Sequence, residues 1–488
     1  MVQRIWDIQW FTGGESDDVY KWPKDSFHLS NNMEVRKNLA GATLSAGLVT
    51  TGWSIDGTVL TMINLETIWG WTGIVVCTET GKIYLNGTLM TTFVSGTVAY
   101  NRVHAINVWY EWGTQYLYYF TGTSFWAGQI HRSNTSLSSF DTGSYPIAYT
   151  TATWTSGSNV STINDGWIIY FAKNNKVLTL DAWVVSTVIT FQENEIAVAL
   201  TSFQNNFKIY TNKLSTGIQY IWNGVDTAPD YRQEWINQPI MGIVNNGSVD
   251  YAILWYNEFY ADLYLIQGTQ KQPLRVNLEA SSRSRTFGGQ MSIREDIVYI
   301  SGGSYKDGNI VKWVFTYGNY YPWTPKSLNK QFSLSTDSFT VHTHGTSQSF
   351  YACTNGTIYK SEYNNPPTNL WYASSGYIET QVYQGNIWEK KSLNRIEIGY
   401  DINTLYATSI DIYLRSSIGD AWVLYKSIAG ASLKTERGVT LTANEVSAMP
   451  SFYELQMKIV LNAGISGGVY VASPTIFRAT VFMDILNK

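Results

Sequence analysis

Apolar and polar positions alternate along most of this chain with the two-residue period of half-buried strands, and seven short stretches repeat one phrase built on that alternation. Each is a strand, a tight polar or glycine-bearing turn, and a second strand. "VVCTETGKIYLNG" (75–87) opens the series and "FYACTNGTIYKSE" (350–362) closes it; between them lie residues 116–133, 166–181, 196–212, 251–267 and 296–314. The apolar residues that anchor the second strands, Ile83, Ile130, Val177, Ile209, Tyr264, Ile310 and Ile358, are spaced 47, 47, 32, 55, 46 and 48 residues apart. A period in the forties made of hairpins without helices is that of a β-propeller, whose blades are four-stranded antiparallel sheets. A blade cannot bury both of its faces alone, so blades stack in a ring. Residues 45–365 are therefore expected to form a propeller, seven blades being preferred; the 32-then-55 irregularity leaves six or eight open.

The grammar differs at both ends. In "RIWDIQWF" Trp6, Ile8 and Trp10 share one face of an extended segment. Residues 1–44 are thus an N-terminal arm that either closes the ring or packs locally as an edge strand. Pro366 and Pro367, within a linker over 366–376, end strand pairing. Beyond them the strands lengthen: Tyr453, Leu455, Met457, Ile459 and Leu461 alternate with polar residues, as do Ile410, Ile412 and Leu414. Residues 377–488 read as a β-sandwich or jelly roll with one polar face per sheet.

Composition strengthens the all-β reading. Charged residues are only 14% and aromatics 15%, with 34 Tyr and 20 Trp, and these large flat side chains suit pleated surfaces better than helices. A net charge of −4 with no basic tract excludes a phosphate-reading footprint, so no sequence-specific nucleic-acid contact is expected. No 18-residue apolar run and no signal-like start occur, so neither a membrane span nor standard secretion is expected. Cys77 and Cys353, 276 residues apart, read as buried free thiols.

Candidate chemistry is sparse. His342 and His344 share a strand face but lack the further ligands of a zinc site. Glu193 with Glu195, and Glu15 with Asp17 and Asp18, are carboxylate sets that a glycosidase or a calcium site could use. Solvated loop charges are the blander account. No phosphate loop, nucleophile elbow or dinucleotide fingerprint exists, so neither a cofactor nor an enzymatic activity is expected. Of the Asn-x-Ser/Thr sites at Asn86, Asn134, Asn159, Asn246 and Asn355, three are Asn-Gly, a hairpin-turn dipeptide. "SYKDGNIVKW" (304–313) loosely resembles the Asp-box turn of sialidase-like propellers, with different spacing.

Two stretches carry a family resemblance. "FTGGESDDVYKWPKDSFHLSNNMEVRKN" (11–38) is similar to the N-terminal region of virion proteins of tailed bacteriophages. "GYIETQVYQGNIWEKKSLNRIEIGYD" (376–401) resembles the sandwich that follows the propeller in such proteins. The resemblance implies a structural virion protein of the tail, in the nozzle, tip or hub, assembled in the host cytoplasm and contacting the host surface. It implies other tail proteins as partners, a host glycan as a further one, and a symmetric homo-oligomer of three- or six-fold order. Trp6 and Trp10 are the expected interface residues. The alternative is a carbohydrate-binding, lectin-like or sialidase-like propeller, in which exposed aromatic rings stack on sugars.

Overall fold

Strands, antiparallel except for the pair Gly14–Glu15 and Ser26–Phe27, carry the described residues, and no helix occurs among them. The structure is a computed structural model. It describes residues 3–9, 14–15, 26–27, 29–31, 33–34, 42–44, 49–57, 59–68, 71–78, 80–92, 103–111, 113–122, 127–133, 140, 144–150, 161–247, 249–255, 260–279, 291–294, 297–306, 309–318, 327–332, 338–344, 347–354, 356–363, 372–383, 389–402, 405–429, 439–442 and 451–486.

Seven four-stranded sheets form a β-propeller. Blade one is Val59–Ile68, Trp71–Thr78, Lys82–Leu85 and Thr88–Thr92. Blade two is Val103–Glu111, Thr114–Gly122, Ala127–Ser133 and Ile147–Thr150. Blade three is Ser161–Asp165, Ile168–Lys173, Lys176–Asp181 and Val184–Thr190; blade four is Glu195–Phe203, Asn206–Lys213, Thr216–Trp222 and Tyr231–Trp235. Blade five is Ile240–Asn246, Val249–Trp255, Tyr260–Gln267 and Gln270–Glu279; blade six is Met291–Arg294, Ile297–Lys306, Asn309–Gly318 and Ser327–Phe332. Blade seven takes Ser338–His344, Ser347–Thr354 and Thr357–Tyr363, and borrows its outer strand, Val49–Thr50, from the N-terminal side. The first strand of each blade lies against the first strand of the next, and blade seven's lies against blade one's, so the ring is closed.

Blade three shows why its second strand reads as the unbroken apolar run Ile168-Ile169-Tyr170-Phe171-Ala172. Successive side chains point to opposite faces. Ile169 and Phe171 therefore join Tyr118, Phe120 and Tyr149 of blade two in one cluster. Tyr170 and Ala172 join Leu200, Phe207 and Trp222 of blade four in the next. Both faces are buried, as in a sheet covered on two sides. Inner strands are also linked by polar groups: the amides of Asn107 and Asn164 exchange two hydrogen bonds, 2.9 and 3.0 Å.

The irregular spacing in the sequence has a simple origin. Six of the seven phrases are the second and third strands of a blade, but residues 196–212 are the first and second strands of blade four. On that blade's third strand the first buried apolar residue is Ile218, 41 residues after Val177 and 46 before Tyr264. The turn at Asn86-Gly87, with φ of 50° and 82°, is the double left-handed geometry that this dipeptide favours.

Closure is not made by the aromatic arm. Gln3–Gln9 pairs residue for residue with Arg478 to Asp484 in a different sheet, a longer ladder than the two-residue Val49–Thr50 strand makes in the ring. That sheet also contains Val439–Thr442, Lys391–Asp401, Ala42–Leu44 and Met33–Glu34. A second sheet holds Val423–Ala429, Ser409–Arg415, Gln456–Asn462, Ser375–Glu379 and Leu29–Asn31. Side chains from both sheets, among them Trp6, Ile8, Leu44, Ile396, Ile412 and Ile459, make one buried cluster. These two sheets, which share one buried cluster, thus draw strands from both before and after the propeller in the sequence. Leu455, Met457, Ile459 and Leu461 are fully buried as their alternation requires, but Tyr453, just before the strand begins, is exposed.

Candidate functional site

In an antiparallel four-stranded blade, the turn joining strands one and two and the turn joining strands three and four emerge at the same end. On that side of blades two to four the ring exposes a row of large apolar side chains. Tyr110 stands at the end of blade two's first strand, Trp167 and Trp183 in blade three's two turns, Val184 beside Trp183, and Val225 in the blade-four turn. Trp167 is 59% and Trp183 61% exposed, where tryptophan is ordinarily well buried.

These turns are fixed from below. The Trp109 indole N–H donates to Gly166 O at 3.0 Å, and the Tyr145 hydroxyl donates to Ala182 O at 2.6 Å. Tyr145 in turn belongs to a buried charged cluster. Arg132 bonds Glu111 at 2.5 Å and lies over the Tyr116 and Tyr145 rings at 4.3 and 4.6 Å, while Tyr118 donates to Glu111 at 3.0 Å. Ala182 has a left-handed φ of 51°, a conformation costing a non-glycine residue about 1–2 kcal/mol.

Behind Trp183 a groove of about 490 Å³ opens between blades three and four. Ile168 and Tyr170 line it from the second strand, Thr179 and Asp181 from the third, Val184, Ser186 and Val188 from the fourth, and Gly224 from the neighbouring blade. The blade-four wall is a rigid loop. Asn223 Oδ1 accepts from the backbone N–H of Val225 and Asp226 at 2.9 and 3.0 Å, and the Trp222 indole donates to Asp226 O at 2.6 Å. Gly224, with φ of 84°, sits where a Cβ would come within 2.8 Å of the Phe207 ring. Burial, and then the carboxylates of Asp165 and Asp181, hold the Tyr170 phenol above its usual range, so it stays protonated. The groove offers aromatic and aliphatic walls, hydroxyls, and one carboxylate among its lining residues. That set can bind an amphipathic ring, and the paired carboxylates that most glycosidases use are not both in its lining.

The residues singled out by sequence fall elsewhere. Glu193 is exposed, whereas Glu195 is buried and accepts hydrogen bonds from Thr211 at 2.5 Å and Tyr220 at 2.8 Å, so the two occupy opposite environments rather than one site. His342 and His344 lie in blade seven's first strand, in register with Ser349 and Ser347. Among the described residues no group of three metal-ligating side chains occurs. Glu15 lies in a two-residue strand; Asp17 and Asp18 lie outside the described residues. Trp6, the expected interface residue, is 3% exposed, because its strand turns that face into the two-sheet core. Trp10 lies outside the described residues. The groove itself went unread, although "DAWV" (181–184) carried a signal: a tryptophan in a two-residue turn between strands, where Asn or Gly is expected.

No protein-family model matches the chain, and no curated protein sequence matches it. Among solved structures it is similar to the WD40 domain of Neurospora crassa Pan2, at 11% identity and a TM-score of 0.44, covering 68% of this chain and 97% of that one. It is similar to the Cps50 (Swd1) β-propeller domain of Myceliophteria thermophila, at 8% identity and a TM-score of 0.39, covering 63% and 100%. It is also similar to the computationally designed Ika8 protein, at 10% identity and a TM-score of 0.38, covering 69% and 96%. These likenesses concern the fold.

Proposed function

We propose that this protein is a non-enzymatic structural component of a bacteriophage tail, in the nozzle, tip or hub, that docks neighbouring tail proteins and contacts the host surface through its propeller. The row of exposed large apolar side chains from Tyr110 to Val225, on one side of an interlocked ring, supports this reading best: such a row on a rigid scaffold serves binding better than turnover. The insertion of the ring between two parts of a second buried unit suits a part that must transmit load without its domains swinging apart. Subunits of this kind are expected to sit in a three- or six-fold ring around the tail axis. The sialidase-like alternative is less well supported, because no Arg or Lys lines the groove at Trp183 to hold a sialate carboxylate.

Gold-labelled antibody raised against the purified chain, applied to tailed particles from a lysate carrying this gene, tests the proposal. Labelling at one end of the tail is expected; label absent from particles and recovered with soluble protein overturns it.

A further inference from the structure

We propose that the groove between blades three and four binds a neutral pyranose of a glycan, with the ring stacked on the indole of Trp183. The inference deepens the tail reading by naming the chemistry of a host contact, but its geometry stands without it. The volume of about 490 Å³ falls within the roughly 300–1,000 Å³ of small-molecule sites, so one or two sugar rings fit where a folded protein surface does not. A pyranose has an apolar C–H face and a polar hydroxyl rim, and the groove supplies both complements. The flat, exposed indole of Trp183 and the side chains of Ile168 and Val184 meet the first, while Thr179, Ser186 and Asp181 meet the second.

Charge selects among sugars. The one charged group lining the groove is the Asp181 carboxylate, and Asp165 acts electrostatically on the adjacent Tyr170 from the same side. A ligand carboxylate, phosphate or sulfate would meet like charge with no cation in the lining, so sialylated and other acidic sugars are disfavoured, whereas the hydroxyls of a neutral hexose donate to Asp181. The site is also preorganised. The Tyr145–Ala182 hydrogen bond fixes the turn that carries Trp183, and the Asn223 turn fixes the opposite wall, so little order has to be gained on binding.

The test is an array of neutral oligosaccharides built from glucose, galactose, mannose and N-acetylglucosamine, with sialylated counterparts and a deglycosylated glycoprotein. The full chain is probed as wild type, Trp183→Ala, Ser186→Trp and Leu214→Ala. Leu214 is 82% exposed in the turn between the second and third strands of blade four, at the opposite end of the ring, and serves as control. Expected is binding to at least one neutral glycan, weakened at least about tenfold by Trp183→Ala and by Ser186→Trp and unchanged by Leu214→Ala. Both altered residues are exposed, and an unchanged unfolding midpoint establishes that the variants are folded. Absence of neutral-glycan binding, binding that survives both groove variants, preference for sialylated members, or signal that follows the deglycosylated polypeptide each overturns the inference. Any of these outcomes leaves the particle-labelling result standing or falling by itself.

Discussion

Lys208 and Asp250 form an ion pair entirely out of contact with water, Nζ 2.6 Å from Oδ2 with both side chains fully buried. It joins the second strand of blade four to the second strand of blade five. The same carboxylate accepts from Tyr210 at 2.6 Å and from Asn245 at 2.6 Å, and the ammonium lies 4.7 Å from the centre of the Phe203 ring. Such a pair is worth little against an apolar replacement, but removing one partner strands a buried charge at about 3–5 kcal/mol. Lys208→Met and Asp250→Asn are each expected to lower stability by that amount, and the double variant by at least about 1 kcal/mol less than their sum. By contrast, breaking the solvent-exposed pair of Arg232 and Glu234 should cost under about 0.5 kcal/mol. Denaturant unfolding of the five proteins decides; additive losses at Lys208 and Asp250 would refute the coupling.

Ring closure rests on a small area. Thr51 donates through its N–H and its hydroxyl to Ile358 O, at 2.9 and 3.0 Å, and Trp53 then stacks on Tyr351 with ring centres 5.7 Å apart. Gly87, in the blade-one turn, lies under that indole with φ of 82°, and an added Cβ would sit 2.3 Å from Trp53 Cγ. Gly87→Ala is therefore expected to cost about 2–4 kcal/mol and to expose residues 51–57 to protease. Limited proteolysis with mass mapping reads this out, and an unchanged cleavage rate would show that Trp53 does not latch the ring.

His131 makes acid stability depend on one imidazole. Burial lowers its pKa from 6.5 to about 4, and its ring packs edge-on to Phe140 at 5.9 Å. The unfolded chain binds a proton here below pH 6.5 and the folded chain does not until about 4. Stability from this group is therefore full above pH 6.5 and is lost as pH falls from 6.5 toward 4, by about 3 kcal/mol. His131→Phe should flatten that part of the stability–pH curve relative to wild type. Parallel curves for the two proteins would exclude the assignment.

Cys77 and Cys353 occupy corresponding places, near the ends of the second strands of blades one and seven, and neither is in a disulfide. They belong to different clusters: Cys77 packs with Leu117 and Tyr119 of blade two, Cys353 with Val76 and Tyr84 of blade one. Burial pushes the Cys77 thiol well above its ordinary value, which leaves almost no thiolate to react. Ellman's reagent should label neither residue in the native protein and both after denaturation. Rapid native labelling of either would contradict their burial.

The repeat was legible because burial on both faces puts apolar runs into the inner strands of the blades, and the turn dipeptides mark where strands reverse. Two things were not legible. The even spacing of the anchors breaks at Ile209 because the phrase "IAVALTSFQNNFKIYTN" is blade four's first hairpin, as apolar as its second, and hairpin grammar alone does not number strands within a sheet. The place of the aromatics was the other. Tyr118, Tyr119, Tyr210, Tyr251, Tyr299 and Trp222 are among the largest fully buried side chains, and those with described clusters lie between blades, so much of the aromatic content is core. Trp6 followed the same logic into the two-sheet unit. Alternation shows that a side chain has a side, not which partner covers it.

Ala182 makes a last test of the turn that presents Trp183. Its φ of 51° is shared by Asn86, Asn174 and Asn237, residue types that tolerate the left-handed region, whereas alanine has no side-chain polar group to compensate. Substituting glycine relieves about 1–2 kcal/mol of backbone strain and gives back about 0.5–1 kcal/mol as unfolded-chain entropy. Ala182→Gly should thus stabilise the protein by about 0.5–1 kcal/mol, the reverse of what alanine-to-glycine does inside a strand such as that of Ala199. Tyr145→Phe, which removes the 2.6 Å hydrogen bond to Ala182 O, should cost about 1 kcal/mol. It should also raise hydrogen exchange at residues 181–184. If Ala182→Gly instead destabilises, the turn's geometry is not imposed by the blades around it, and Trp183 is not held as a fixed platform.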